Sequence, residues 1–191
     1  MQGLRQTFAE LVGSTLAALG PHLKFIDEGG VDMGLTRLYG RALPGERVVE
    51  ATPGHSGIHY TLIAALGLHG VAAPWLLAGS MDRIAFETYV ELVLAPGLQT
   101  GDIVLLDNLP THKSARAIEL IAARGARLQF LPPYSPDLNP IEMCWSKVKS
   151  ALRAVKARTL EALIDALDAA FRSVSLTDIQ SWFNHCGYSL S

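Results

Sequence analysis

The clearest hydrophobic pattern lies in the C-terminal half of the chain, where apolar residues recur three or four positions apart. This spacing is typical of an amphipathic helix. The apolar stripe consists of Ile141, Trp145, Val148, Leu152 and Val155. Asn139 is a good N-cap and Pro140 a good first helical residue. We therefore predict a helix that begins at Pro140.

A proline-rich loop, residues 131–140, leads into this helix. Each proline fixes its own φ and restricts the residue before it. The prolines are Pro132, Pro133, Pro136 and Pro140. Asp137 and Asn139 supply side-chain bonds that stabilise turns and helix caps. The loop therefore delivers Glu142 to the first turn of the helix at a fixed position.

Shorter apolar runs elsewhere predict further strands and helices. We expect strands at residues 22–27, 59–68, 103–107 and 128–131, with a further strand and the start of another between residues 36 and 49. We expect helices at residues 4–19, 81–94, 112–124, 159–174 and 176–184. Strands come first, helix and strand then alternate, and helices end the chain. This order predicts an α/β fold with a mixed sheet and a helical C-terminal end.

Composition narrows the class of protein. The 191 residues are 49% hydrophobic, which suits one globular domain with a full core. Cys144 and Cys186 lack any ligand spacing, so we expect no zinc site or disulfide and a reducing cytoplasm. No apolar run reaches the roughly 18 residues of a membrane span, and no signal peptide is recognised. A net charge of −2 argues against binding nucleic acid through overall charge.

Positive charge is nonetheless concentrated in one segment, which has five basic residues and no acid between Lys147 and Arg158. At about 100° per residue, Lys149 and Arg153 share a stripe of about 60° with Glu142 on the predicted helix. One carboxylate beside two cations suits a metal ion next to a phosphate backbone. The alternative is an ordinary solvated face with charges one turn apart.

Two predicted strands end in aspartate, at Asp27 and Asp107. A carboxylate at the end of an apolar strand is costly to desolvate unless it is paired, hydrogen-bonded or bound to a cation. One such residue is usually a turn-former or a cap. Two of them together with Glu142 indicate a shared cation, and hard oxygen ligands suit Mg²⁺ or Mn²⁺. Two such ions about 3.5–4 Å apart can catalyse phosphoryl transfer.

The sequences around these three acids carry a family resemblance. FIDEGG at Asp27, LLDNLPTHKS at Asp107 and LPPYSPDLNPIEMCWSKVK at Glu142 resemble the three blocks of DDE transposases in the mariner superfamily. The bacterial insertion sequence 630 family is the closest match. The 34 residues between Asp107 and Glu142 equal the spacing of that group. The C-terminal SWFNHCGY is also similar to the family's end, so the likeness covers residues 22–188.

The resemblance implies an RNase H-like mixed sheet flanked by helices. This catalytic domain would span residues 21–191, after a short N-terminal helix or linker remnant at residues 1–20. Asp27, Asp107 and Glu142 would hold two Mg²⁺ or Mn²⁺ ions. The implied activity is DNA strand cleavage and strand transfer, usually into a TA dinucleotide.

The resemblance also implies partners. They are double-stranded DNA, both transposon ends and target, and a second copy of the chain bound to that DNA. Full-length relatives carry N-terminal helix-turn-helix domains, so we expect such a domain as a fusion or as a partner from an upstream reading frame. The expected location is the bacterial cytoplasm, at the nucleoid, with no role for a membrane.

Residues near the acids have roles that the sequence leaves open. The predicted DNA contacts are Lys147, Lys149, Arg153, Asn108 and His112. His112 is equally suited to cap the following helix, and Asn108 to bind a carboxylate. Glu28 is favoured as a supporting residue, because neighbouring side chains in a strand diverge. Tyr134 and Trp145 are candidates for stacking on a base, although Trp145 lies on the apolar stripe and favours core packing.

Three functions are compatible with these features. The leading hypothesis is a transposase catalytic domain. A metal-dependent nuclease without strand transfer would use the same residues. A non-catalytic partner that regulates a full-length transposase is the third hypothesis, and the intact set of three acids argues against it.

Overall fold

The computed structural model describes Phe8 and residues 20–54 and 57–188. A five-stranded sheet forms the centre, in the order β3-β2-β1-β4-β5. The strands are β1 (Leu23–Asp32), β2 (His59–Gly67), β3 (Gly70–Ala78), β4 (Ile103–Leu106) and β5 (Arg127–Phe130). β1, β2 and β3 pair antiparallel, whereas β4 pairs parallel with both β1 and β5. The predicted mixed sheet is therefore confirmed.

Helices cover both faces of this sheet. They are α1 (Arg83–Tyr89), α2 (Ala115–Ala122), α3 (Ile141–Val155), α4 (Leu160–Arg172) and α5 (Leu176–His185). One hydrophobic core joins the sheet to α3, α4 and α5, and a second joins it to α1 and α2. Among the described residues, no helix is both long and apolar enough to cross a membrane.

Strand β1 serves both cores because successive side chains of a strand point to opposite faces. Phe25 and Val31 belong to the core under α3, whereas Ile26 belongs to the core under α1. The alternation places Asp27 on the α3 side and Glu28 on the α1 side. Each of these two carboxylates therefore meets a different set of helices.

The register between β1 and β4 brings two acids level with each other. Leu23 pairs with Ile103 and Phe25 with Leu105, a constant offset of 80 residues. The same offset relates Asp27 to Asp107, which directly follows β4. Because the two strands are parallel, the acids lie side by side at the edge where ligands bind in such sheets.

Several predicted elements need correction. β1 continues to Asp32, so Asp27 lies within the strand and not at its end. No strand forms between residues 36 and 49, which are mostly exposed, and β3 was not predicted. The helix predicted at residues 112–124 begins at Ala115, with Ser114 as its cap. The helix predicted at residues 4–19 lies outside the described residues, apart from the buried Phe8.

Candidate active site

The three predicted acids meet in one place. Asp27, Asp107 and Glu142 line a single cleft of about 420 Å³, which we call the acidic cleft. The first two come from neighbouring strands, and Glu142 comes from the first turn of α3. The Glu142 N–H donates to the carbonyl of Asn139 at 3.1 Å, which joins the helix start to the proline-rich loop. The fold thus brings acids from distant parts of the chain together.

Asp27 is the most deeply buried of the three acids. Burial raises its pKa to about 7, and the negative charge of Glu142 and of Asp107 acts in the same direction. The indole Nε1–H of Trp145 donates to Asp27 Oδ2 at 3.0 Å and partly opposes this rise. The self-repulsion expected of three carboxylates that converge on one site is therefore visible in the raised pKa of Asp27.

Asp107 is fixed by a buried histidine. His112 Nδ1 lies 2.7 Å from Asp107 Oδ1, and His112 Nε2 lies 2.9 Å from Glu28 Oε1. Burial opposes protonation of the imidazole, but the two carboxylates outweigh it and raise the pKa of His112 to about 9. Both ring nitrogens of the protonated ring donate. Burial would raise the pKa of Asp107, yet the bond from His112 and the Leu109 N–H lower it below its usual value.

This geometry answers two open questions from the sequence. His112 is 1% exposed and bound on both sides, so in this conformation it neither contacts DNA nor caps α2. Glu28 lies on the same α1 side of the sheet as His112 and supports it, which is the supporting role expected for Glu28. Asn108 lines the acidic cleft, but its Nδ2 donates to the Leu131 carbonyl at 2.6 Å. This bond ties the end of β4 to the end of β5, and the DNA contact predicted for Asn108 stays a prediction.

The basic residues of α3 divide between two faces. A Cβ added at Gly29 would lie 3.7 Å from Lys149 Nζ, so this amine lies over β1, two residues beyond Asp27. Arg153 is one turn further along and is half-buried. Lys147 instead pairs with Asp178 of α5 at 2.5 Å. The predicted DNA contact for Lys147 is therefore not supported, because its amine is already paired on another face of the helix.

Trp145 and Asn139 are the residues that the sequence analysis understated. Trp145 was expected to pack in the core, which it does, but its indole N–H also reaches Asp27. Its position three residues after Glu142 was the available signal, because that spacing keeps both near one side of the helix. Asn139 was expected to cap α3 through its side chain. The structure has Pro140 in the capping position and no side-chain cap.

The donor chemistry of the acidic cleft suits a divalent cation. Burial first, and then the negative charge of Glu142 and Asp107, raise the pKa of Asp27, and a bound cation would relieve this charge repulsion. Carboxylate oxygens are the ligands preferred by Mg²⁺ and Mn²⁺. Within the described part of the chain, no three acidic, histidine or cysteine side chains already form a metal-binding group. Metal binding would therefore require these carboxylates to turn toward one another.

A mixed sheet with level aspartates on its two central parallel strands, completed by a glutamate from a packed helix, is an RNase H-like arrangement. The chain belongs to the DDE superfamily endonucleases, whose family model matches residues 22–164. The predicted resemblance to mariner-type DDE transposases is confirmed. The closer match to the insertion sequence 630 family stays a prediction.

The curated relatives are transposases. The chain is 31% identical over 109 residues to the Tcb1 transposase of Caenorhabditis briggsae, covering 55% of this chain and 40% of that protein. It is 31% identical over 103 residues to the Tc1 transposase of Caenorhabditis elegans, covering 52% and 38%. The matched part thus spans about 40% of the first relative's length.

Solved structures show the same fold at low sequence identity. The Mos1 mariner paired-end complex with Mn superposes with a TM-score of 0.73 at 17% identity, covering 96% of this chain and 57% of that one. The Mos1 transposase catalytic domain with raltegravir and Mg superposes with a TM-score of 0.69 at 15% identity, covering 96% and 90%. These likenesses confirm the predicted RNase H-like fold.

Proposed function

We propose that residues 21–191 form the catalytic domain of a mariner-type transposase, which cleaves DNA strands and joins them to a target. The observation that carries this proposal is the convergence of Asp27, Asp107 and Glu142 on one cleft. These residues would hold two Mg²⁺ or Mn²⁺ ions, which activate an attacking oxygen and stabilise a leaving oxygen. The similar Mos1 mariner paired-end complexes with Mn and with Mg support this choice of metal.

The chain's own residues prepare the cleft for this chemistry. Trp145 holds Asp27 from the side of α3, and His112 holds Asp107 from the side of α1. The parallel register keeps the two aspartates level, and the proline-rich loop fixes the start of α3. Such supporting bonds orient metal ligands and limit their movement. No side-chain nucleophile is needed, because water and then a DNA 3′-hydroxyl supply the attacking oxygen.

One strand-transfer assay separates a transposase from a nuclease of the same fold by its products. The chain should join a pre-cleaved transposon-end duplex to a supercoiled plasmid in Mg²⁺ or Mn²⁺, with insertions at TA dinucleotides. The natural end sequence is required, together with a helix-turn-helix domain that we propose is supplied by a fusion or a second chain. Hydrolysis of the same duplex without joined products would favour the nuclease. Absence of both products, with DNA still bound, would favour the regulatory partner.

Assembly on DNA is part of the proposal. Relatives form a Mos1 paired-end complex and a Mos1 strand transfer complex. We propose by analogy that two copies of this chain bind two transposon ends. Double-stranded DNA is therefore the expected partner, both as transposon end and as target.

The cations on the cleft side of α3 should hold the DNA backbone. Changing Lys149 and Arg153 together to alanine should weaken binding equally on transposon-end and random duplexes, because phosphate contacts carry little sequence information. The slope of log affinity against log salt should flatten by about 2, since each engaged cation contributes about 0.9. Fluorescence anisotropy across a salt series measures both effects.

Lys147 provides the matched control on the same helix. Its amine pairs with Asp178, so Lys147→Ala should leave the salt slope unchanged while removing one link between α3 and α5. An equal flattening by Lys147→Ala would show that nearby positive charge alone, without the cleft-side geometry, governs binding. An unchanged slope in the double variant would mean that Lys149 and Arg153 form an ordinary solvated face.

A further inference from the structure

A tight turn after β4 returns His112 to the acid that it follows. Asp107 Oδ1 accepts from the Leu109 N–H at 3.1 Å, a bond to the backbone two residues further along that is typical of aspartate at turns. Pro110 then opens a single 3₁₀ turn, Pro110–His112, in which the His112 N–H donates to the Leu109 carbonyl. As a result, the imidazole Nδ1 lies 2.7 Å from the same Oδ1. The segment from Asp107 to His112 therefore fastens the aspartate at one oxygen.

The other carboxylate oxygen of Asp107 is the one that a ligand can use. The hydrogen bonds that Leu109 and His112 make to this carboxylate both go to Oδ1. The Asp107 side chain is nevertheless 41% exposed and lines the acidic cleft. Oδ2 can therefore turn toward a cation while Oδ1 stays fixed. Bonds of this kind orient a metal ligand and limit its movement.

His112 itself has no access to the cleft. The residue is buried, does not line the cleft, and packs against Phe86 of α1 with 4.7 Å between the ring centroids. Its second ring nitrogen, Nε2, lies 2.9 Å from Glu28 Oε1. Both nitrogens are thus bonded inside the protein, so in this arrangement neither is open to a metal ion or a phosphate. His112 can act on the reaction only through Asp107.

Glu28 reaches the site by the same indirect route. It follows Asp27 directly, but neighbouring side chains of a strand point to opposite faces. Asp27 lines the acidic cleft, whereas Glu28 does not and is 19% exposed. The bond from His112 Nε2 to Glu28 holds the far edge of the imidazole and so fixes the orientation of the ring. Glu28 is therefore connected to Asp107 on the next strand, and not to Asp27 beside it in the chain.

We propose that Glu28 and His112 are positioning residues for Asp107. Glu28 fixes the imidazole, and the imidazole holds Oδ1 of Asp107 so that Oδ2 is presented to a divalent cation. Neither residue binds the metal or the DNA. The inference rests on the proposed function, because it requires a cation in the acidic cleft.

Three substitutions separate the two bonds of the imidazole. The side-chain NH₂ of asparagine lies close to the place of Nδ1, so His112→Asn retains a donor to Asp107 and loses the bond to Glu28. The longer His112→Gln reaches Glu28 and loses the bond to Asp107. His112→Phe retains a ring against Phe86 and loses both bonds. Circular dichroism gives the melting temperature of each variant without metal.

The probe is Mn²⁺ alone, added to the full chain without DNA, and electron paramagnetic resonance measures the free ion. The affinity for Mn²⁺ should fall about tenfold to a hundredfold in His112→Phe and His112→Gln, the usual effect of losing a bond that supports a metal ligand. His112→Asn should lose only the part that depends on Glu28. Its affinity should therefore match that of Glu28→Ala and fall by no more than about tenfold.

Combining the substitutions tests whether Glu28 acts through His112. Glu28→Ala should weaken Mn²⁺ binding in the parent but cause no further loss in His112→Asn, because the shorter amide no longer reaches Glu28. Such non-additivity is expected of residues that act through one another. Glu87→Ala is the matched control. Glu87 is a half-buried glutamate of α1 that accepts from the Ser114 hydroxyl at 2.5 Å, so its loss should leave Mn²⁺ affinity unchanged.

Other roles predict different results. If His112 were only structural, Mn²⁺ affinity would follow the melting temperatures of the variants, and His112→Asn would bind no better than His112→Phe. If Glu28 were a metal ligand, Glu28→Ala would lower affinity equally in the parent and in His112→Asn. Either result would overturn the inference.

Two further outcomes separate this inference from the proposed function. Duplex DNA binding in EDTA, measured by anisotropy, should be unchanged in every variant, and a loss in all three His112 variants would make His112 a DNA contact instead. If the parent and His112→Phe bind Mn²⁺ equally, the positioning role fails and the proposed metal site stands. If the parent binds no Mn²⁺, the proposed metal site and the positioning role fail together.

Discussion

Replacing Glu142 with glutamine is expected to lower Mg²⁺-dependent DNA cleavage by at least about a thousandfold. Several kcal/mol of transition-state stabilisation depend on correctly held metal ions, and about 4 kcal/mol corresponds to a factor of a thousand. The amide keeps the shape of the side chain but loses the charge. The rise in melting temperature that millimolar Mg²⁺ or Mn²⁺ gives the parent should shrink, since a more weakly bound ligand stabilises the folded state less.

Glu161→Gln is the matched control. Glu161 is an exposed glutamate in the first turn of α4, as Glu142 is in α3, but it does not line the acidic cleft. It should cleave DNA like the parent. Without metal, Glu142→Gln should melt no lower than the parent, because it removes one of the charges that repel Asp27. Full cleavage by Glu142→Gln, or an equal loss by Glu161→Gln, would remove Glu142 from the site.

Replacing Trp145 with alanine is expected to lower the free energy of unfolding by about 3–5 kcal/mol, the usual cost of truncating a large buried aromatic residue. In a chain of this size the melting temperature should fall by about 6–20 °C. Trp145 is 3% exposed, packs edge-on against Phe171 and donates to Asp27. Thermal unfolding followed by circular dichroism measures the loss.

Trp145→Phe separates packing from hydrogen bonding. Trp145→Phe keeps most of the ring but leaves Asp27 without its indole donor. The rate of DNA cleavage should therefore fall by more than the accompanying loss of folded protein explains. Trp182→Phe is the control, since Trp182 is partly buried on α5 and does not line the acidic cleft. If Trp145→Phe cleaved DNA like the parent at the same stability, the bond to Asp27 would have no functional role.

The elements predicted best are those with strong local patterns. The apolar stripe of α3 and the prolines before it are visible within about twenty residues. The structure reproduces both, except that Val155 at the end of the predicted stripe is exposed. The edge strand β3 was missed because Pro74 interrupts it, and a sheet tolerates proline only where a strand lacks a second neighbour. The first strand was predicted to end at residue 27, before Gly29 and Gly30. They extend β1 because they pair with Leu62 and Thr61.

The sequence predicted the three acids of the site and a supporting role for Glu28, but not the bonds that hold the acids in place. Three acidic residues stand out in sequence because each follows an apolar run or a rigid loop. The bond between Trp145 and Asp27 joins positions 118 residues apart, and that between His112 and Glu28 joins positions 84 apart. Only the packing of α3 and α1 on the sheet creates such contacts. Asp27 was found for a partly wrong reason, since it lies within β1 and owes its place to the register with β4.

The offset of 80 residues between β1 and β4 also sets how long after Asp27 the second acid of the cleft is synthesised. At about 5–20 residues per second, a ribosome needs roughly 4–16 s after making Asp27 to reach Asp107. Glu142 follows 35 residues later. A product that stops short of α3 therefore never assembles the three acids, so abortive translation of this gene releases only fragments in which the acidic cleft is incomplete.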